Sequence, residues 1–144
     1  MTSLTRSDWE QRAKTLTIET RAFIHGEYRA AESGATFECI SPVDGRLLGL
    51  VASCDQADAE LAVKDARAAF DSGAWSRMAP AQRKKVMIRF AELIEEHGQE
   101  LALLETLDMG KPISDSLSID VNSAANAIRW SGEAIDKIYD EVAA

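Results

Sequence analysis

The stretch LETLDMGKPI, residues 104–113, reads like the end of a phosphate-gripping loop. Such a loop cradles phosphates on the amides of Gly-x-x-x-x-Gly-Lys and follows its lysine with a Ser or Thr that holds magnesium. Here Glu105 occupies the position of the first glycine, and Pro112 occupies that of the hydroxyl residue. Both tests fail. Neither Gly-x-Gly-x-x-Gly nor Gly-x-Ser-x-Gly occurs in the sequence, which removes the dinucleotide turn and the nucleophile elbow as well. What Gly110, Lys111 and Pro112 do fit is a helix stop: a left-handed glycine, a cation near the last carbonyls, and a proline that cannot continue the helix.

The remaining reactive side chains are few. Cys39 sits in FECI beside Glu38, whose charge should hold the thiol protonated. Cys54 precedes a helix start but is followed by Asp55 and Asp58, with no histidine near it in sequence. Neither is expected to act as a nucleophile. With only His25 and His97, no zinc-ligand spacing can be assembled. Asp44 and Asp108 carry oxygen ligands, yet an acid in a turn or at a helix end is normally solvated. Trp9, Trp75 and Trp130 are read as packing anchors.

The whole chain has 144 residues, 46% hydrophobic and 28% charged, with a net charge of −8. That is an ordinary globular balance, enough for one modest core. Acids and bases are mixed, so nucleic acid and anionic membranes are not expected partners. No apolar run approaches the roughly 20 residues of a membrane helix. The opening MTSLTRSDWEQR has no apolar stretch of a secretory signal, and two unpaired cysteines suit a reducing, cytoplasmic setting.

The elements that would position these residues follow from pattern. Ser7-Asp8-Trp9-Glu10 fits a capping box opening a helix to about Leu16. FIHGEY reads as a hairpin turning at His25-Gly26, and ATFECISPVDGRLLGLVAS as two strands joined by Pro42-Val43-Asp44-Gly45. Beyond Asp55, an N-cap, all is helical. Ala59, Ala62, Val63, Ala66, Ala69 and Phe70 share one predicted inward face, and Val86, Met87, Phe90, Leu93 and Ile94 another. Ser72-Gly73 stops the first of these helices, Pro80 opens the second, and Gly98 bends or interrupts it. A stripe of Leu117, Val121, Ala124, Ile128, Ile135 and Tyr139 predicts one long final helix. Two short ribbons cannot make a stable sheet alone, so the inventory reads as the opening portion of something larger.

Taken together, FIHGEY at 23–28, ISPVDGRLLGLVA at 40–52, residues 62–113 ending in LETLDMGKPI, and AIRWSGEAIDKIYDEV at 127–142 resemble the N-terminal region of the NAD(P)-dependent aldehyde dehydrogenase superfamily. The SDWEQRAKTL opening and IRWSGEAIDKIY ending are most similar to the γ-glutamylaminobutyraldehyde and guanidinobutyraldehyde dehydrogenases of bacterial polyamine breakdown. Ser41 departs from the family, which usually has Asn before that proline; the turn should survive.

The resemblance implies an α/β fold. Residues 1–19 would form a helical arm, and residues 20–144 the N-terminal portion of the cofactor-binding domain. The parent enzyme would oxidise an aldehyde to an acid: a thiolate adds to the carbonyl, hydride passes to NAD or NADP, and water releases the thioester. The family's Trp-Asn-Phe-Pro stretch, cofactor-contacting Lys, catalytic Glu and nucleophilic Cys all lie downstream of the matched region. No catalytic or cofactor-binding residue is therefore expected here, and the partners implied are the missing downstream segments and further copies in a homo-oligomer. The resemblance also implies a structural sodium or potassium ion, held by the Asp108 carboxylate and the backbone carbonyls of Cys39 and Ile40. The competing expectation is a stand-alone, non-catalytic helical interaction module.

Overall fold

The computed structural model describes residues 4–137 of the chain. Helix α1 (Arg6–Thr15) leads into two antiparallel ribbons, β1 (Ala22–Ile24) with β2 (Glu27–Arg29), and β3 (Thr36–Ile40) with β4 (Leu47–Ala52). Helices α2 (Gln56–Ser72), α3 (Pro80–Glu96), α4 (Gly98–Met109), the single turn α5 (Ile113–Asp115) and α6 (Val121–Ala134) follow. The ribbons stay separate two-stranded sheets.

The first helix starts two residues earlier than Ser7 would have it. Thr5 is the N-cap: its hydroxyl accepts from the Asp8 amide at 3.3 Å, and the Asp8 carboxylate accepts from the Thr5 amide at 2.8 Å. Thr5…Asp8 and Ser7…Glu10 carry the same hydroxyl-to-acid spacing. The upstream pair closes the box, which leaves Glu10 to pair with Arg6 at 2.8 Å.

The β1–β2 turn lies at His25 (φ 59°) and Gly26 (φ 75°), two successive left-handed residues that match the right-handed twist of a tight hairpin. The turn at Pro42 forms with Ser41 before it. Ser41 is buried, its Oγ accepts from the Val43 amide at 3.3 Å, and its carbonyl accepts from the Gly45 amide at 2.9 Å.

Helix α2 opens on a reciprocal Asp55–Asp58 capping box and ends at left-handed Gly73. Its predicted inward face is not inward. Val63 is 70% exposed and Phe70 57% exposed, and the helix's one buried residue is the polar Asp58. Apolar spacing set the helix correctly, but the surface that would cover that face does not come from the described residues. Helix α3 behaves in a mixed way: Met87 and Ile94 are half-buried, whereas Val86, Phe90 and Leu93 are exposed.

The core forms where α3, α4 and α6 meet. Ala91, Ala102 and Ala125 have no exposed surface, and Leu103, Leu107 and Val121 close around them. Small residues bring the helices close: a Cβ on Gly132 would lie 2.8 Å from the Met87 Cβ, and one on Gly98 would lie 3.1 Å from Val121 Cγ1. Gly98 follows His97 at the α3–α4 break, as its position in the sequence predicts.

The final helix is not one continuous α-helix. A wide π-turn, Ser116–Asp120, is inserted between α5 and α6. Ser116 is fully buried there and accepts a hydrogen bond from the Thr106 hydroxyl of α4 at 3.5 Å. Along the predicted stripe Val121 is buried, Leu117, Ile128 and Ile135 are half-buried, and Ala124 is exposed. Tyr139 lies outside the described residues. Trp130, read from sequence as a packing anchor, is 70% exposed on α6, and Trp75 is exposed too. Among the described residues, no helix is long and apolar enough to cross a membrane.

Candidate functional site

The ribbon β3–β4 and the end of α4 meet at the one place where sequence-predicted site residues converge. Gly110 adopts φ 78° and ends α4 in the left-handed conformation, as the Gly-Lys-Pro order predicts. A Cβ at Gly110 would approach Pro42 Cγ to 3.0 Å, so the helix stop rests directly on the β3–β4 turn. That contact brings Asp108, in the last turn of α4, against the end of β3.

There the half-buried Cys39 thiol donates to Asp108 Oδ1 at 3.3 Å. Ile40, beside it, is 46% exposed, and the ribbon register is irregular between Cys39 and Ile40. The site thus joins Cys39 and Asp108 by a direct contact and places Ile40 next in the chain. The Asp108 hydrogen bond is the main reason the thiol's pKa is raised, with burial and the carboxylate's charge adding to it. Sequence proximity pointed to Glu38 as the cause. Neighbouring residues on a strand point to opposite faces, so the effective acid is the one that folding delivers. A thiol held protonated in this way is a poor nucleophile.

An open cleft continues from Cys39 and Asp108 past Glu105, Leu104 and Leu48 to Glu19 and Thr20. Glu19 is occupied by Arg21, which it meets through both carboxylate oxygens at 2.8 and 2.7 Å. Chiefly through that side-chain bond, its pKa falls to about 2. Lys111, the cation that follows the helix stop, pairs with Asp120 at the end of the π-turn and not with Asp108. Asp120 closes the π-turn, which adds one residue to the helical winding there, and nothing in the local sequence marks it as the partner.

Other candidates stay apart from this place. Cys54 is exposed ahead of α2. His25 pairs with Asp65 of α2, and His97 lies 3.8 Å from Glu100. Asp44 pairs with Arg46 at 3.4 Å within its own turn. Among the described residues, no three His, Cys, Asp or Glu side chains gather into a metal-binding group. Any cation at Asp108 would therefore depend on main-chain oxygen, a donor set that suits a hard ion and not a soft transition metal. The buried residue that sequence reading passed over is Asp58. Its carboxylate accepts from the amides of Asp55 and Glu32, both at 3.0 Å, and so ties the loop after β2 to the start of α2. The Asp-x-x-Asp spacing after Ser53-Cys54 was the available signal.

Residues 28–144 match the model of the aldehyde dehydrogenase family. The chain is 50% identical over 135 residues to the NADP/NAD-dependent aldehyde dehydrogenase PuuC of Escherichia coli K12, covering 94% of this chain and 27% of that protein. Its structure superposes with a TM-score of 0.97 and 72% identity on the indole-3-acetaldehyde dehydrogenase of P. syringae solved with NAD+ and IAA, covering 99% of this chain and 29% of that one. The γ-glutamyl-γ-aminobutyraldehyde dehydrogenase of Burkholderia cenocepacia J2315 superposes with a TM-score of 0.95 at 53% identity, covering 97% and 28%. The chain thus spans a little over a quarter of the length of the relatives it matches. With the family model matched over residues 28–144, this chain belongs to the aldehyde dehydrogenase family.

Proposed function

We propose that this chain is the N-terminal scaffold of a longer NAD(P)-dependent aldehyde dehydrogenase and is not catalytic by itself. The observation that carries the proposal is the combination of near-complete coverage of this chain with coverage of only 29% of the solved relative. On this reading residues 1–19 are an arm, and residues 20–144 open the cofactor-binding domain. The exposed Val63 and Phe70 of α2, Phe90 of α3 and Trp130 of α6 receive the downstream segments. A free-standing helical module would instead cover such a face with its own residues or present a polar one.

The whole enzyme would act in the cytoplasm as a homo-oligomer, with NAD or NADP. Its reaction is aldehyde oxidation through a cysteine thioester, on residues that this chain does not supply. An amino- or guanidino-aldehyde from polyamine breakdown is the favoured substrate class, supported by the B. cenocepacia relative. An aromatic aldehyde is the second reading, supported by the higher identity to the P. syringae enzyme. At the Cys39–Asp108 junction, a sodium or potassium ion would bind the Asp108 carboxylate and the carbonyls of Cys39 and Ile40. In the chain alone that site would be incomplete and weak.

The test is reconstitution. The 144-residue chain, incubated with γ-aminobutyraldehyde, 4-guanidinobutyraldehyde or indole-3-acetaldehyde and either cofactor, should give no rise in reduced nicotinamide absorbance. Co-expressed with the complementary downstream portion of PuuC, it should restore turnover, and the aldehyde preferred by this chain joined to its own downstream segments then decides between the two substrate readings. Turnover by the chain alone that survives repurification overturns the proposal.

A further inference from the structure

We infer that His25 and Asp65 form a protonation-dependent latch that holds the β1–β2 hairpin against helix α2. His25 is at the tip of the hairpin, in the left-handed conformation at φ 59°. A non-glycine residue pays for that conformation in steric strain, and histidine is among the side chains that tolerate it. In this position its Nδ1 reaches the Asp65 carboxylate, 40 residues along the chain and on a different element.

The surroundings make the contact matter for the hairpin. Ile24, the one buried residue of β1, faces a cleft shared with Leu61 and Ala68 of α2. The ribbon has only three residue pairs, so its position depends on what α2 supplies. Near its base, Asp58 of α2 already holds the Glu32 amide at 3.0 Å, and Arg29 bonds the Glu32 carboxylate at 2.6 Å. The tip has His25–Asp65. The charged groups facing the pair are Glu27 and Arg29 from β2 and Lys64 from α2, all lining the same cleft.

The bond to Asp65 raises the histidine pKa first, the charges of Asp65 and then Glu27 add to this, and slight desolvation opposes it. The sign follows directly. A raised folded-state pKa means that the latch is fully formed below the ordinary histidine value of about 6.5 and weakens as pH climbs through the folded value. Neutral histidine can still donate Nδ1–H to Asp65, so the change is from a charge-assisted bond to a neutral one, not from bond to none.

The experiment is hydrogen exchange on the intact chain at pH 5.5 and pH 8.5, corrected for intrinsic chemical exchange, with α4 amides as the internal reference. Protection of the Ala22–Arg29 amides should fall by about two- to fivefold at the higher pH, the range of an exposed ion pair. His25→Asn, which tolerates the same backbone conformation but does not titrate, should abolish the pH dependence while keeping the hairpin. Asp65→Asn should lower protection at pH 5.5 to the wild-type level at pH 8.5. Hairpin protection that does not change with pH in the wild type overturns the latch, as does a pH dependence that His25→Asn leaves intact.

Discussion

The α4–α6 half and the α2–ribbon half of this chain use opposite means of holding together. Around α4, small side chains let helices touch, and Ala91, Ala102 and Ala125 lie fully covered beneath Leu103 and Leu107. Around α2, the apolar stripe faces outward, and attachment falls to polar contacts: the Asp58 knot, the capping box and the His25–Asp65 pair. The same alphabet of Ala, Val, Leu and Phe supplies both. Burial of one region from within and exposure of the other separates a core that the chain completes from a surface it prepares for something else.

Substitutions should expose this contrast, the largest effect first. Leu103→Ala removes a side chain that is 5% exposed and should destabilise the chain by about 2–5 kcal/mol, read from chemical denaturation. An effect below about 1 kcal/mol would mean that the α4 layer is not a packed core. Gly110→Val places a β-branched residue at φ 78° with Pro42 Cγ only 3.0 Å from the new Cβ. The expected loss is about 1–2 kcal/mol, with the Asp108–Cys39 contact loosened as well, visible as faster thiol labelling of Cys39. An unchanged melt with unchanged labelling would show that the stop tolerates another geometry.

On the other side of the comparison, Asp58 should make the α2 region sensitive to acid. The Asp55 amide, then the Glu32 amide, hold its pKa below the usual carboxylate value. Its contribution is therefore present above about pH 4, the unfolded value, and is lost as pH falls through the lower folded value. Asp58→Asn should remove that part of the acid sensitivity, seen as a flatter dependence of the thermal midpoint between pH 2 and 4. If both proteins lose stability equally over that range, other acids dominate. The smallest effect is expected from Phe70→Ser, about 0.5 kcal/mol or less in stability because the ring is already 57% exposed. Its signature would be lower hydrophobic-dye binding and less light scattering, and a large loss of stability would refute the open-face description.

Much of this was legible in the sequence because local rules decide it. Asp55 and Gly73 bracket α2, Pro80 opens α3, and Gly110 ends α4, each for reasons contained within a turn or two of chain. The two hairpins were legible for the same reason. What was not legible depends on distant partners or on ties between equal local options. Thr5 and Ser7 offered equivalent boxes, and only the fold chose between them. Asp120 as the partner of Lys111, and Asp108 as the acid beside Cys39, need tertiary placement. Periodicity could say that Val63 and Phe70 share a face, but not whether anything lies on it.

The π-turn at Ser116–Asp120 has a consequence for how this segment tolerates change in length. In an α-helix one residue advances the surface by about 100°, so a single extra residue turns everything beyond it by that angle relative to everything before. Leu117 and Ile128 therefore belong to two differently phased halves, and Asp120 stands at the seam where Lys111 grips it. Deleting one residue there would straighten the helix while rotating Val121, Ala125 and Gly132 away from α3 and α4 together. Inserting a full turn would shift the same residues along the axis and nearly keep their direction. The wide turn thus acts as a phase setting, and the Lys111–Asp120 pair holds that setting in place.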